Sequence, residues 1–346
     1  MKKRSSQATL AEVAHAAGVG IATASRAMNG GANVSPQTLK KVETAIRQFG
    51  YLPNHAARIL KGGRTKTIGL LVPSIADSFF ARCAEVAGEV ASQHDSLLIV
   101  TVSNNRPDTE LTNLSILMRH RPDGLLLVPS DAGSKQLLAF VRDCTVPVIT
   151  FDRPLLGAPC ASVLTNNFEA ARDATAHLIE HGYKRILCFG GEPELYTVSE
   201  RIRGYRDAMK KAGLPPMEDA TLNDGAESAQ PALRKHLSNR RAPQAIFTLK
   251  NSTTIAAFQA LQRLEIAVPS SVALLGFDDF ELAGTLRPSL SVVQQPIEEL
   301  GRKAAELLFA RLEKAPSSPR HRKQSWEPTI LPNRLVIRTS CGCTLP

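Results

Sequence analysis

No uncharged apolar run in the 346 residues approaches the roughly 18 that span a bilayer, so no membrane-crossing helix is expected. The N-terminus, M-K-K-R-S-S-Q-A-T-L, has the charges of a signal peptide without an apolar segment behind them, and export is not expected. The six cysteines (Cys83, Cys144, Cys160, Cys188, Cys341, Cys343) are scattered, with neither disulfide-rich density nor a C-x-x-C pair. Cys341-Gly342-Cys343 is more closely spaced than the usual zinc patterns, so no metal site is expected. Reduced thiols in a cytosol fit this usage. The motifs G-x-x-x-x-G-K-[ST], G-x-S-x-G and H-E-x-x-H do not occur, which argues against a phosphate loop, a serine-hydrolase elbow and a zinc-hydrolase helix. No cofactor is expected. Gly and Pro, at 22 each, stay at ordinary levels, and 43% hydrophobic with 21% charged residues excludes a disordered or collagen-like chain.

The length predicts two to three domains, and the charge is divided unevenly between them. Of the net +10, residues 1–66 carry +9: eleven Lys/Arg against Glu12 and Glu43. The remaining 280 residues are nearly neutral. A basic head on a neutral body reads as a polyanion-binding module joined to something else. A disordered basic tail would lack periodicity, and this head has it. Thr9 with Glu12 has capping-box spacing, and Leu10, Val13, Ala14 and Ala17 share one helical face. Gly18 supplies a turn and Val19 points inward. Gly20 to Asn29 predicts a second helix with Ala24, Ala27 and Met28 apolar, stopped at Gly30-Gly31. Ser35-Pro36 opens a third, whose expected buried stripe is Leu39, Val42, Ala45, Ile46 and Phe49. Small residues at Ala14 and Ala24 let the first two helices cross closely, as a helix-turn-helix requires.

Beyond residue 66, short buried-strand runs alternate with amphipathic helices, the pattern of a parallel α/β sheet. Strands are expected at Thr67–Val72, Leu97–Val102, Gly124–Val128, Val146–Phe151, Arg185–Phe189, Ala245–Leu249 and Val272–Phe277. Expected helices include Phe79–Gln93, Asp108–His120, Phe168–His181, Glu200–Ala212 and Thr253–Leu264. Ligands of such sheets sit outside the carboxyl ends of the strands. That places candidates at Ser74–Phe80, Ser103-Asn104, Pro129–Asp131 with Ser130, Asp152-Arg153, Lys250–Ser252 and Asp278-Asp279.

The stretches V-G-I-A-T-A-S-R-A-M-N and V-S-P-Q-T-L-K-K-V, followed by G-Y-L-P-N-H-A-A-R-I-L-K-G-G-R-T-K-T-I-G-L-L-V-P over Gly50–Pro73, resemble the LacI family of transcriptional regulators. The resemblance runs on to R-L-V-I-R-T-S-C and covers nearly the whole chain. It implies a small all-α helix-turn-helix DNA-binding domain plus an α/β two-lobed periplasmic-binding-protein-like (type I) core with parallel sheets. The implied organisation is residues 1–61 with a hinge helix near 54–61, a linker over 62–66, and an effector-binding and dimerisation domain over 67–346. The lobes would be crossed near Thr165, near Val292–Pro296 and near Leu331.

The same resemblance places Ile21, Ala22 and Arg26 at the base-reading positions of the second helix. Arg26 can fork onto guanine, whereas Ile21 and Ala22 depart from the family's hydrogen-bonding side chains and suit a thymine methyl. Thr9, Thr23, Ser25 and Asn29 are candidates for phosphate contacts, with capping and solvation as the plainer alternative for each. In the hinge, Asn54, Ala57, Leu60 and Lys61 are expected at DNA, with Leu60 as a minor-groove wedge. An eight-residue helix is too short to be stable alone, so the hinge is expected to fold with dimer and DNA together.

For the effector, the resemblance implies Phe79 and Phe80 as platforms, Asp152-Arg153 as the frequent D-R, and Glu200-Arg201 with Gly204 as E-R-x-x-G, whose Arg201 contacts the ligand. Asn166-Asn167 stands where D-N is usual and Asn251-Ser252 where N-D is usual, with Lys250 before it, while Asp278 remains as the acid for a pair of hydroxyls. With acids missing and Arg153, Arg201 and Lys250 present, an acidic or phosphorylated sugar is expected over a neutral one. The expected partners are operator DNA, a small sugar-like effector and a second copy of the chain, with dimer against tetramer left open, no membrane, and a cytoplasmic location. A transport sugar-binding component would need a signal peptide and no basic head. An enzyme would need catalytic carboxylates that the expected cleft has lost.

Overall fold

The computed structural model describes residues 8–28, 34–51, 64–220, 226–313 and 327–343. Asn29, Asn54, Ala57, Leu60 and Lys61, named above as DNA-contact candidates, lie outside the described residues. The chain separates into two compact units, Met1–Thr65 and Lys66–Pro346.

In the first unit three helices form, α1 (Leu10–Ala16), α2 (Ile21–Met28) and α3 (Pro36–Phe49). Thr9 caps α1 through a complete capping box: its backbone N–H donates to Glu12 Oε2 at 2.6 Å and its Oγ1 accepts from the Glu12 N–H at 3.3 Å. Gly18 takes the left-handed turn at φ +66°. Ser35 caps α3, with Pro36 at its first position, and Gly50 ends it in the left-handed region. Val13, Ala17, Ala27, Val42 and Ala45 form the small core, with Leu39 and Ile46 packed against it. Phe49, expected in that stripe, is instead 42% exposed at the last position of α3, while Tyr51 beyond it packs against the core.

The second unit carries two six-stranded sheets. The first runs β11-β5-β4-β3-β1-β2, where β1 is Thr67–Val72, β2 Leu97–Val102, β3 Gly124–Leu127, β4 Val148–Phe151, β5 Ala161–Thr165 and β11 Thr329–Leu331. The second runs β12-β10-β9-β8-β6-β7, with β6 Ile186–Phe189, β7 Met217–Asp219, β8 Ala245–Thr248, β9 Ala273–Phe277, β10 Ser291–Gln294 and β12 Arg334–Val336. All pairings are parallel except β10 with β12. Helices cover both faces, so strand residues of either parity are buried: on β1, Ile68, Leu70 and Val72 belong to one apolar cluster and Leu71 to another.

The helices of this unit are α4 (Ser78–Gln93), α5 (Pro107–Arg119), α6 (Lys135–Asp143), α7 (Asn167–Glu180), α8 (Tyr196–Lys211), α9 (Ala226–Leu237), α10 (Asn251–Arg263) and α11 (Ile297–Glu313). Helix α11 follows a strand of the second sheet but places Leu300, Ala304 and Leu308 in the core of the first lobe. There Gly301 permits a close crossing with α4, since a Cβ would lie 2.8 Å from the Cys83 carbonyl oxygen. The chain therefore passes between lobes after β5, after β10 and between β11 and β12, at the three places expected. Among the described residues every expected strand and helix forms within a few residues, and the hinge helix expected near 54–61 lies outside them. The five further strands and three further helices (α6, α9 and α11) add to that set.

Candidate functional site

The carboxyl ends of the strands in both lobes open onto one cavity of about 520 Å³, within the range of small-molecule sites. Its lining includes Phe79, Phe80, Asp152, Arg153, Arg201, Lys250, Asn251 and Asp278, eight of the ten effector residues expected. Ser130 and Asn166 are not among them. Ser130 is buried, and both its N–H and its hydroxyl donate to the Glu110 carboxylate, at 2.7 and 2.8 Å. Asn166 turns its Oδ1 to the Asn333 N–H at 2.7 Å, tying a crossover rather than facing a ligand.

Phe79 and Phe80 open α4 and meet edge to face, with ring centres 4.9 Å apart. Asp77 caps this helix, accepting from the Phe79 N–H at 3.0 Å, and its carboxyl also lines the cavity. Burial raises its pKa from the ordinary aspartate value.

Asp152 and Asp278 each follow a strand and sit at positive φ, +63° and +71°, a conformation that a non-glycine residue keeps only where surrounding contacts hold it. Burial pushes the Asp152 carboxyl up to about 6, against the pull of Arg153 and Arg201. Arg153 lies 3.4 Å from it and donates to Asn105 Oδ1 at 2.7 Å and to the Pro129 carbonyl at 3.3 Å.

Arg201, buried on α8, stacks its guanidinium 3.7 Å from the centre of the Phe277 ring. It donates to Asn167 Oδ1 at 2.8 Å and to the Leu249 carbonyl at 2.6 Å, and stands 3.6 Å from Asp278 Oδ2. Gly204, one turn on, lets α8 cross α7 closely, for a Cβ there would fall 2.2 Å from the Phe168 carbonyl oxygen. The E-R-x-x-G motif thus joins a cavity-lining arginine to the helix crossing that positions it.

These groups close a ring. Asn167 Nδ2 donates to Thr165 Oγ1 at 3.1 Å, and Thr165 Oγ1 donates to Gln295 Oε1 at 2.9 Å. Gln295 Nε2 donates to Asp278 Oδ1 at 2.5 Å, and Asp278 faces Arg201, which returns to Asn167. Thr165 and Gln295 sit on two of the three inter-lobe crossings, so cleft and crossings share one polar network.

The expectation of a carboxylate-poor cleft does not hold. Lys250 is paired with Glu192, and Asp77 and Glu192 join Asp152 and Asp278 around the cavity. Both additional acids come from loop positions outside the family's motifs; the strand-end rule covers Asp77, whereas Glu192 follows β6 in a loop that no motif singled out.

On the basic head, Ile21, Ala22 and Arg26 are all exposed on α2, Ile21 at 55%, while Thr23 and Ser25 are half-buried. Arg26 Nε donates to the Ala22 carbonyl at 3.3 Å. The Thr9 hydroxyl and backbone are already engaged in the capping box, so its place in the structure is accounted for by the helix start.

A basic helix-turn-helix unit beside a two-sheet, ligand-cleft unit defines a class of DNA-binding regulators with a periplasmic-binding-protein-like domain. Residues 9–54 match the model for bacterial regulatory proteins of the lacI family, and residues 175–341 match that for a periplasmic binding protein-like domain. The ribose operon repressor of Escherichia coli K12 is 32% identical over 307 residues, covering 88% of this chain and 93% of that protein. Among solved structures, a transcriptional regulator CelR–cellobiose complex is 29% identical with a TM-score of 0.68, covering 96% of this chain and 99% of that one. The lac repressor dimer bound to operator and the anti-inducer ONPF shares the fold, with a TM-score of 0.85 at 23% identity over 97% and 99% of the two chains. The chain belongs to the lacI family of bacterial regulatory proteins: it is a ligand-responsive, DNA-binding transcriptional regulator and not an enzyme. No helix among the described residues is long and apolar enough to cross a membrane.

Proposed function

We propose that this regulator is a cytoplasmic repressor that binds a palindromic operator as a dimer and responds to a neutral sugar held between its lobes. The observation that carries the reading is the pairing, in one chain, of an exposed Ile21, Ala22 and Arg26 face on a basic head with a cleft that gathers eight expected effector residues. In this reading residues 1–61 are the DNA-binding segment with the hinge helix over 54–61, residues 62–66 the linker, and residues 67–346 the effector and dimer domain. Arg26 forks onto a guanine, Ile21 and Ala22 meet thymine methyls, and Thr23, Ser25 and Asn29 approach phosphates. Thr9 reaches the backbone only as the cap of α1. Asn54, Ala57, Leu60 and Lys61 contact DNA, with Leu60 as the minor-groove wedge. A two-fold dimer presents two equivalent α2 helices, hence the palindrome.

A neutral ligand is favoured because each cleft cation faces an acid: Arg153 with Asp152, Arg201 with Asp278, and Lys250 with Glu192. Such paired groups offer donors and acceptors to sugar hydroxyls without surplus positive charge, and the CelR relative in complex with cellobiose is a comparable case. An acidic or phosphorylated sugar is the second reading, supported by the three cations. Calorimetric titration with matched neutral and acidic sugars separates the two: tighter binding of the neutral member is expected, and tighter binding of the acidic one overturns it.

The DNA half of the reading is tested by selecting bound sequences from a random pool with the full-length protein at near-physiological salt. A palindrome with a fixed centre is expected, and Arg26→Ala should lose about 1–3 kcal/mol of discrimination at one half-site position. No enriched motif, with or without a sugar mixture, would refute it.

A further inference from the structure

Away from the cleft, four side chains from opposite ends of the second lobe's sequence converge. His177 and His181 stand one turn apart at the C-terminal end of α7, and Cys341 and Cys343 follow β12. The four candidate donor atoms, one from each side chain, all lie within 4.8 Å of one another. His177 Nε2 is 3.4 Å from Cys341 Sγ and 3.7 Å from Cys343 Sγ, and His181 Nε2 is 3.0 Å from Cys343 Sγ. A tetrahedral ion with Zn–S of about 2.3 Å and Zn–N of about 2.0–2.1 Å spaces neighbouring N and S donors about 3.6 Å apart. Two of these separations straddle that spacing, and the third opens by about half an ångström.

We propose that His177, His181, Cys341 and Cys343 form a tetrahedral zinc site that fastens the C-terminal segment to the end of α7. Two thiolates and two imidazoles are the donor set of structural zinc, soft enough to disfavour Mg²⁺ and Ca²⁺. All four sit on one small patch, graded from buried Cys341 to exposed His181, so an ion can enter from solvent.

The surroundings are arranged for these ligands. Ser291 Oγ donates to Cys341 Sγ at 3.1 Å while accepting from the Arg338 N–H at 2.9 Å, which orients the sulfur as an outer partner does at metal centres. The tight C-x-C spacing, which argued against zinc in the sequence, is made workable by Gly342. It takes φ +99°, and a Cβ there would fall 2.6 Å from the Tyr183 hydroxyl. A longer two-residue spacer is unnecessary when the second pair of ligands comes from a helix turn.

The test uses the full chain purified in a phosphine reductant, reconstituted with zinc chloride and freed of loose metal by gel filtration. Elemental analysis should find one zinc per chain in the wild type and in Cys144→Ser, a thiol in the other lobe. His181→Ala, which removes an exposed ligand and so spares the core, should fall severalfold in zinc retention, as should Cys343→Ser. Cobalt in place of zinc should show thiolate-to-cobalt charge transfer and the intense visible bands of a tetrahedral ion, both lost in the two ligand variants. Wild-type protein that retains no zinc would overturn the proposal, as would cobalt bands lacking thiolate charge transfer. So would zinc retained at the wild-type level by His181→Ala and Cys343→Ser, or a reduced preparation that is two hydrogens light because Cys341 and Cys343 are joined as a disulfide.

Discussion

Asp152 follows β4 in the first lobe and donates its N–H to the Val163 carbonyl of β5; Asp278 follows β9 in the second and donates to Val293 of β10. The two lobes share a strand order, and the two acids occupy matching ends of matching strands with the same unusual backbone. Their side chains differ in what they hold. Asp152 is met by its sequence neighbour Arg153, which is anchored to Asn105 and Pro129 in the same lobe. Asp278 is met by Arg201 and by Gln295, and through them by both crossings at Thr165 and Gln295. One acid is a local fixture of its lobe, whereas the other joins the ligand cleft to the inter-lobe crossings. A shared fold has thus been given two mechanical roles by a change of partner alone.

The largest effect expected from this difference is in the arginines. Arg201→Ala leaves Asp278 buried without its cation and opens the polar ring, so it should cost about 3–5 kcal/mol in urea unfolding and abolish effector binding. Arg153→Ala should cost less; an equal cost would break the comparison. Next is the pH dependence of Asp152. Its folded pKa of about 6 lies above the ordinary 3.8, so the folded state holds the proton more tightly than the unfolded one. Stability conferred by the protonated acid is therefore present at low pH and lost as pH rises through that window. Against Asp152→Asn, the wild type should lose up to about 3 kcal/mol between these values in paired denaturation curves. A wild type that gains stability over the variant as pH rises would contradict burial as the cause. The smallest effect compares the helix crossings: Gly204→Ala, 2.2 Å from a backbone oxygen, should destabilise by more than Gly301→Ala at 2.8 Å, both within about 1–3 kcal/mol by thermal or chemical unfolding.

Much of this was legible in the residues. The capping box at Thr9 and Glu12, the turn at Gly18 and the strand-end acids follow from local rules that the structure obeys. Strands β7, β11 and β12 are three residues each, too short to show a pattern, and α9 is disguised by Pro231 in its interior. Helix α11 has a plain stripe at Leu300, Ala304 and Leu308, so nothing physical hid it. Within the site, the strand-end rule pointed at Asp278, whereas Arg201, inside a helix, came only from the family resemblance. Ser130 and Asn166 have the right polarity at strand ends, but which way such a side chain turns depends on partners 20 and 167 residues away, Glu110 and Asn333. The His177–Cys343 cluster was hidden for the same reason: half of it lies at the other end of the domain's chain.

The tie between Asn166 and Asn333 has a consequence of its own. Asn166 also donates its backbone N–H to the Leu331 carbonyl at 3.1 Å, so the third crossing is bound to the first, as the second is through Thr165 and Gln295. Three separate threads would each bend independently and absorb a ligand's pull as slack. Laced together, they behave as one stiff axle. Any force that drew the two lobes together would therefore act on all three crossings at once.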